Sequence, residues 1–242
     1  WLAKNLINTI VSPQHRLLVG GSVWLSGEHG RWATDIVAFQ QSQQRAADYL
    51  MATDPMIYTV LLKDYPEPVK HEGYHSFEVD PVMVLDLHGF SSWDEYLKAM
   101  RSKYRQRARS AYTKSHEVVS WELNEEEIRN RETELMALFY QVVQHDLFSL
   151  SIPPTHYLSD LKQALGEAFV VTGYFLKDRL VGFRASLHID DTTYAYIVGF
   201  SQDHNQPLKL YQRMLYDYVK EALTNKRTTL DLGRTASRIE RK

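Results

Sequence analysis

The chain has 242 residues, a formal net charge of −2 and a hydrophobic content of 44%, enough to bury a sizeable core. It contains no cysteine, which excludes disulfide frameworks, thiolate metal sites and cysteine nucleophiles. No apolar run approaches the roughly 20 residues that span a bilayer, and the first residues lack the pattern of a signal peptide. We therefore expect a cytoplasmic protein without stable membrane insertion.

The first third of the sequence predicts a small βαβ unit. Its apolar patterns indicate a strand at 17–27, a helix at 37–52 and a strand at 56–65. The segment 66–81 follows, with three prolines, a glycine and no periodicity, and is typical of a connection between lobes. We therefore expect one domain at 1–81 and a second at 82–242.

The rest of the sequence predicts strands interleaved with helices, followed by an antiparallel meander. Expected strands cover 82–87, 117–123, 168–176, 180–189, 192–200 and 228–233. Expected helices cover about 92–114, a region that begins after the N-cap Asn124, 156–165 and about 207–223. This order predicts an α/β (α+β) fold in which helices flank a mixed sheet.

The predicted helix at about 92–114 concentrates positive charge. Between 91 and 115, seven Lys and Arg residues face only Asp94 and Glu95, a local charge of +5. A continuous helix would place one apolar stripe against the sheet, with the basic residues along both of its sides. That stripe consists of Trp93, Leu97, Met100, Tyr104, Ala108 and Ala111.

This grouping of charge indicates a polyanionic partner. Like charges four residues apart on a helix repel by roughly 0.2–0.5 kcal/mol per pair. A phosphate-bearing carrier, a pyrophosphate-linked substrate or an RNA would relieve that repulsion. The alternative is a solvated face whose basic side chains stay in water. The residues predicted to bind an anionic substrate here are Arg101, Lys103, Arg105, Arg107 and Arg109.

Three segments together resemble the Fem-type branch of the GNAT acyl-CoA N-acyltransferase superfamily, which includes peptidoglycan-bridge aminoacyltransferases. They are the basic helix YLKAMRSKYRQRARSAYTKS, the meander with LVGFRASLHI, and the closing LDLGRT. The resemblance implies a GNAT-like mixed sheet and two tandem lobes. Residues 82–242 would be the second lobe and residues 1–81 part of the first.

The sequence departs from an ordinary GNAT enzyme after the meander. Such an enzyme has a glycine-containing turn there, whose backbone amides hold the pyrophosphate of coenzyme A. This chain has SQDHNQPLKLYQRML, with no glycine between Gly199 and Gly233. The implied acyl donor is therefore left open among aminoacyl-tRNA, an acyl-CoA bound in another way, and another activated acyl group. The implied partners are an anionic small-molecule or carrier-linked substrate and tRNA.

Acyl transfer to an amine needs a proton acceptor and hydrogen-bond donors for the oxyanion. LDLGRT ends the last predicted strand, where we expect Asp231 to accept a proton or bind the amine and Arg234 to anchor a carboxylate or phosphate. A purely structural pair between Asp231 and Arg234 is the alternative. Tyr196, on a strand of the meander, is the third candidate catalytic residue, with a core tyrosine as its alternative.

Other polar residues give weaker signals. Arg184 lies in mid-strand, so its burial requires either a protein partner or a ligand anion, and it is predicted to bind anions. His188 has the same strand parity and is expected to share its face. No metal cofactor is expected, because the histidines are scattered and His71 and His75 lie in the irregular connection. The adjacent pair His145 and Asp146 is a weak candidate for a base.

The leading hypothesis is an N-acyl or aminoacyl transferase that acts on an anionic acceptor, for which a cell-envelope precursor is one candidate. The alternatives are an acetyl-CoA-dependent acetyltransferase with an atypical turn and a non-catalytic lobe that binds an anion or RNA. The transferase hypothesis assumes that the basic helix and the closing strand line the same cleft.

Overall fold

The computed structural model describes residues 16–27, 29, 33–65, 72–79, 81–144 and 153–234. The chain forms two compact units, Trp1–Pro81 and Val82–Lys242. That the first unit is part of another GNAT-like lobe stays a prediction. Within the described residues, no helix is both long enough and apolar enough to cross a bilayer.

The first unit contains the expected βαβ arrangement. It consists of β1 (Arg16–Gly20), α1 (Ile36–Thr53) and β2 (Ile57–Leu62), and the two strands pair in parallel. The helix begins after Asp35, whose side chain accepts a hydrogen bond from Ala38 N at 3.0 Å. The first strand is shorter than predicted because Gly21 takes a φ of 124°, outside the extended region.

The second unit is a six-stranded mixed sheet with flanking helices, which confirms the expected fold. Its strands are β3 (Val84–Asp86), β4 (Val118–Glu122), β5 (Phe169–Leu176), β6 (Arg179–Ile189), β7 (Thr192–Phe200) and β8 (Thr229–Asp231). Its helices are α2 (Trp93–Ala99), α3 (Ser102–Lys114), α4 (Glu125–Val143), α5 (Tyr157–Leu165), α6 (Gln202–Leu208) and α7 (Leu210–Thr224).

The strand order in the sheet is β3-β8-β7-β6-β5-β4. The strands β5, β6 and β7 form the predicted antiparallel meander, β4 adds to it by antiparallel pairing with β5, and β7 and β8 are parallel. The parallel pairing covers only three residues of each strand, Thr192–Tyr194 and Thr229–Asp231. β7 then continues to Phe200 while β8 ends, so the segment 195–200 extends beyond its β8 partner.

Helices α4 and α7 pack on opposite faces of this sheet, and two glycines permit the close approach. A Cβ atom on Gly199 would lie 2.6 Å from the backbone nitrogen of Phe139 in α4. A Cβ atom on Gly182 would lie 2.5 Å from the terminal methyl carbon of Met214 in α7. Gly182 and Gly199 point to opposite faces, because the register partner of Gly199 is Phe183, the residue after Gly182.

The expected continuous basic helix is wrong, because the chain breaks it between α2 and α3. Met100 and Arg101 both have ψ near 145°, which is extended backbone. The break changes the angular phase of the following residues, so the apolar stripe does not continue through it. Ala108 and Ala111 are fully buried, but Tyr104 is 38% exposed. Tyr104 is therefore not part of the core.

The expected helix at about 207–223 is also interrupted. The chain forms the short α6 and then α7, and Lys209 between them has a φ of 51°. A residue in this left-handed conformation cannot continue a right-handed helix. The capping box at Asn124 is present as expected, since Asn124 and Glu127 bond each other's backbone amides at 2.9 Å.

Candidate active site

Three residues directly paired across β6, β7 and β8 lie at the point where the pairing of β7 with β8 ends. Tyr194 in β7 is the partner of both Leu187 in β6 and Asp231 in β8. Directly paired residues on neighbouring strands share a face, so Tyr194 and Asp231 lie on the same face. Leu230, one residue before Asp231, is buried in the cluster that contains Tyr218 of α7. Asp231 is therefore on the face opposite α7.

The carboxylate of Asp231 shapes the end of β8. Its Oδ1 accepts a hydrogen bond from Gly233 N at 2.7 Å, and Gly233 takes a φ of 69° that favours glycine. Burial raises the pKa of Tyr194, and the charge of Asp231 acts in the same direction. Arg234 follows the turn and is half-buried. The catalytic assignments of Asp231 and Arg234 stay predictions.

Tyr196 lies at an irregularity of β7. The neighbouring β6 residues Ala185 and Ser186 pair with Ile197 and Ala195, so Tyr196 is an extra residue in the strand. A β-bulge of this kind redirects the side chain and loosens the ladder. The sequence pattern gave no sign of this bulge.

The side chain of Tyr196 lies on the face that carries Asp231. Its ring meets Phe169 edge-on at 6.1 Å, and Phe169 is the register partner of Leu187, one of the three paired residues described above. Its hydroxyl is hydrogen-bonded to that of Tyr157 in α5. Burial raises the pKa of Tyr196, as does the hydrogen bond with Tyr157. The Tyr196 hydroxyl therefore keeps its proton at neutral pH.

A buried carboxylate that the sequence analysis missed holds α5 in place beside Tyr196. Glu132 of α4 is only 4% exposed. It accepts hydrogen bonds from Leu158 N at 2.7 Å and from the Ser159 hydroxyl at 2.5 Å. His156 at the start of α5 makes no side-chain cap, so Glu132 takes over the role of an N-cap. The sequence signal was a glutamate within the buried stripe of α4.

Arg184 belongs to a separate polar network on the α7 face. It is 6% exposed, its Nε donates to the Tyr174 hydroxyl at 3.0 Å, and its Nη1 is bonded to Glu221 of α7. Glu221 also accepts from the Ser186 hydroxyl at 2.5 Å and from His188 Nε2 at 2.8 Å. The expected shared face of Arg184 and His188 is present. The chain itself supplies the partner that the buried arginine requires.

The charges in this network determine the protonation state of Glu221. Burial acts to raise the pKa of Glu221, but the hydrogen bond from His188 and the charge of Arg184 outweigh it and lower that pKa to about 2. Glu221 is therefore ionised and neutralises Arg184. A substrate anion could reach Arg184 only by displacing Glu221, so its predicted anion-binding role is not favoured by these contacts.

A second carboxylate extends the network to α3. Asp217 of α7 accepts hydrogen bonds from the hydroxyls of Tyr112 and Tyr174, each at 2.8 Å. Arg213 of α7 donates to the carbonyl oxygen of Ser115 at 2.7 Å. These contacts hold α3 in the same layer as α7. The expectation that the basic helix and Asp231 line one cleft is therefore wrong, because Asp231 is on the opposite face.

The basic residues of α3 are mostly exposed to solvent. Arg101, Lys103, Arg107 and Arg109 are exposed, while Arg105 is half-buried and donates to the carbonyl oxygen of Lys98 at 3.4 Å. None of these five takes part in the salt bridges found in the described residues. Their anion-binding role stays a prediction.

The backbone N–H groups after β7 differ from those of a glycine-rich phosphate-binding turn, because two of them are hydrogen-bonded to side chains. Gln202 N, at the start of α6, donates to the side-chain oxygen of Gln141 at 3.2 Å. Tyr211 N, at the start of α7, donates to the side-chain oxygen of Asn205 at 3.0 Å. Both amides are thus bonded within the chain, as the missing glycine suggested.

The described residues contain no group of three or more His, Asp or Glu side chains that could hold a metal ion. His71, His145 and Asp146, which were weak candidates, lie outside those residues. The catalytic role of Tyr196, like those of Asp231 and Arg234, stays a prediction.

No curated protein matches the sequence. Among solved structures, FemX has 12% identity and a TM-score of 0.50, and the match covers 64% of this chain and 53% of FemX. L-PGS from Bacillus licheniformis has 15% identity and a TM-score of 0.49, with 78% of this chain and 56% of that chain covered. The C-terminal domain of a putative lysylphosphatidylglycerol synthetase from Agrobacterium fabrum has 10% identity and a TM-score of 0.48, with 65% and 47% covered.

The likeness to FemX is one of fold, and it confirms the Fem-type resemblance at that level. The chain spans about half the length of these solved structures. The family described as Acetyltransferase (GNAT) domain matches residues 98–240, more than half of the chain. This segment includes α3, the meander and β8. The chain therefore belongs to the GNAT acetyltransferase domain family.

Proposed function

We propose that the Val82–Lys242 unit transfers an acyl group from an activated donor to an amine, with its reaction centre beside Asp231 and Tyr196. One observation carries this proposal: β8 stops pairing with β7 at Asp231, while β7 continues for six residues with a bulge at Tyr196. Backbone groups need hydrogen-bond partners, and an extended donor could add beside segment 195–200 in place of a strand. Since the basic helix and Asp231 do not share the cleft that the sequence-based hypothesis assumed, the reaction class rests on the family match, and the basic residues of α3 take no part in the proposed centre.

The proposed chemistry uses two side chains of this face. Asp231 removes a proton from the substrate ammonium, and the amine nitrogen attacks the acyl carbonyl carbon. Tyr196, kept protonated by its raised pKa, donates a hydrogen bond to the oxyanion or a proton to the leaving group. As the bond from carbon to the leaving group breaks, the attacking nitrogen loses its extra proton, which replaces the proton given by Tyr196 or passes to the leaving group directly, and the new C–N bond remains. Arg234 anchors a carboxylate or phosphate of the substrate.

The proposed donor is an acyl-CoA or another activated acyl compound. Because Gln202 N and Tyr211 N are bonded to side chains, an acyl-CoA would have its pyrophosphate held in a way unlike that of an ordinary GNAT enzyme. The proposed acceptor is an anionic small molecule or a carrier-linked amine, such as a cell-envelope precursor. Neither the fold nor the comparisons support tRNA as a partner.

The proposal is tested by incubating the protein with panels of acyl-CoA donors and amine acceptors and detecting products by mass spectrometry. Removing a general acid or base typically costs 10²–10⁴-fold in rate, so Asp231→Asn and Tyr196→Phe should each lower turnover by about that factor. Asp178→Asn is the matched control, since Asp178 is an exposed residue of the β5–β6 turn. Wild-type turnover in Asp231→Asn would show that the centre lies elsewhere.

A second candidate function is a non-catalytic lobe that binds an anionic partner. The observation in its favour is that the cations of α3 lie in the layer of α7, away from Asp231. If Asp231→Ala and Arg234→Ala leave the cellular phenotype intact while charge reversal at Arg105 and Arg109 abolishes it, this candidate is favoured over the transferase.

A further inference from the structure

Six basic side chains form an exposed surface over the end of α2 and along α3. We call it the α3 basic surface: Lys98, Arg101, Lys103, Arg107, Arg109 and Lys114. Arg105 is not included, because it is half-buried and bonds the carbonyl of Lys98. The salt bridges of the described residues involve none of the six. Their charge is thus uncompensated by ion pairs in that part of the chain.

Three of the six charges form a line along α3, whereas Arg109 lies about 120–160° from them around the helix axis. At 100° per residue, Lys103, Arg107 and Lys114 fall within about 40° of one another on the α3 surface. Ser110 lies on the same stripe and accepts a hydrogen bond from Lys209 Nζ at 2.9 Å. Lys209 comes from the junction of α6 and α7, so a further positive charge reaches the stripe. The fixed position of Lys209 ties this surface to the α7 layer.

The aromatic rings near this surface already have cationic side chains of the chain over them. The guanidinium of Arg107 lies 5.6 Å from the ring centre of Tyr104. The ammonium of Lys220 lies 3.7 Å from the ring centre of Tyr112, whose hydroxyl is bonded to Asp217. Binding of single-stranded nucleic acid relies on open aromatic rings on which bases stack. The contacts here therefore favour a partner that presents anionic groups alone.

We propose that the α3 basic surface docks the protein on an anionic phospholipid bilayer. An exposed helix is convex, so it suits a broad array of headgroups better than a ligand that needs a groove. Among the exposed residues between the basic ones, Gln106 and Thr113 are polar and Tyr104 lies beneath the guanidinium of Arg107, so contact is by charge and not by insertion. The remainder of the chain is net acidic, which orients the molecule with α3 towards the bilayer.

Vesicle co-sedimentation of the full chain tests this proposal. We expect binding to phosphatidylcholine vesicles that contain phosphatidylglycerol, no binding to phosphatidylcholine alone, and a steep loss of binding at high salt. Each basic residue near an anionic surface contributes about 1 kcal/mol, so Lys103→Glu with Arg107→Glu should weaken binding by at least roughly 30-fold. Thermal melting by circular dichroism checks that this variant is folded.

A matched control variant distinguishes the effect of where the charges are changed from the effect of the protein's net charge on vesicle binding. Lys177→Glu with Arg179→Glu makes the same charge change in the exposed β5–β6 turn, and it should keep binding within roughly threefold of the wild type. Equal loss in both double variants, or equal binding to both vesicle types, would overturn the proposal. Tighter binding to polyphosphate or RNA than to vesicles, lost in Lys103→Glu with Arg107→Glu, would assign the surface to a soluble polyanion instead.

The proposal is independent of the acyl transfer. Asp231 lies on the other face of the sheet, so Asp231→Asn should leave vesicle binding unchanged. Loss of vesicle binding in that variant would contradict the separation of the two surfaces.

Discussion

The carboxylate of Glu221 accepts hydrogen bonds from three side chains of a single strand, Arg184, Ser186 and His188. All three donors are buried on the α7 face of β6. Removing one member of a buried ion pair leaves an uncompensated charge in a medium of low dielectric, which costs more than the pair contributes. Glu221 is therefore the residue on which the packing of α7 against β6 most depends.

We predict that Glu221→Ala lowers the free energy of unfolding by about 3–5 kcal/mol, because Arg184 is then buried without its counter-charge. Urea denaturation measures this loss. Glu221→Gln should cost less, since the amide oxygen still accepts hydrogen bonds. Glu134→Ala is the control, because its ion pair with Arg131 is exposed and should contribute less than about 1 kcal/mol. A loss in Glu221→Ala no larger than that of the control would contradict the account.

The lowered pKa of Glu221 also predicts a dependence of stability on pH. Its folded-state value of about 2 lies below the ordinary value of 4.5, so the ionised form is the one that folding favours. The stability from this group is fully present above about pH 4.5 and is lost as pH falls towards 2. The difference in unfolding free energy between wild type and Glu221→Gln should therefore shrink between about pH 5 and about pH 3. A constant difference would contradict the assignment.

At the scale of residues, the sequence showed which side chains require a partner better than it showed which residue supplies that partner. A mid-strand arginine requires a counter-charge wherever it is buried, and strand parity placed His188 beside Arg184. The partner Glu221 is 37 residues from Arg184 and belongs to a helix, so no local pattern connects the two. Glu132 was missed for the same reason, since its role depends on how α4 meets the start of α5.

At the scale of elements, the contact of α4 with β7 brings helix backbone directly against the strand. At Gly199 the atoms that a Cβ would meet include the backbone of α4, namely Phe139 N and the carbonyl carbon of Leu138 at 2.8 Å. At Gly182 the nearest atom is the end of the flexible Met214 side chain. A helix backbone cannot move without repacking its whole face, whereas a methionine can change rotamer.

We predict that Gly199→Ala destabilises the protein by about 3 kcal/mol, at the upper end of the range for overpacked cores, because both the buried Phe183 ring and the backbone of α4 must move away from the new methyl group. Gly182→Ala is the matched control on the neighbouring strand and should cost about 1 kcal/mol, because Met214 can adjust. Thermal and urea unfolding of the two variants measure the difference. Equal losses would show that the α4 contact is not rigid.

The elements themselves were largely predictable, and their interruptions were not. The hydrophobic patterns predicted every strand of the second unit, and Asn124 marked the start of α4. The break at Met100 and Arg101 has no proline or glycine to mark it, so a continuous helix was the natural prediction. The same holds for the bulge at Tyr196, which arises from the register with β6.

In the whole second unit, two chemically distinct surfaces lie on opposite sides of one sheet. The Asp231 face carries the candidate reaction centre, and the α7 layer carries the basic helix. The face of a residue near the end of a sheet depends on the register across several strands, which the order of residues alone does not determine. The sequence could therefore indicate both features but placed them wrongly in one cleft.

Hydrogen–deuterium exchange of the full chain, with and without an acyl donor that yields product in the panel described above, tests the central claim most directly. If the donor adds beside β7, the backbone amides of 195–200 and 231–233 should gain protection, and those of 102–114 should not change. Protection confined to α3, with none in β7 or after β8, would contradict the proposed reaction centre.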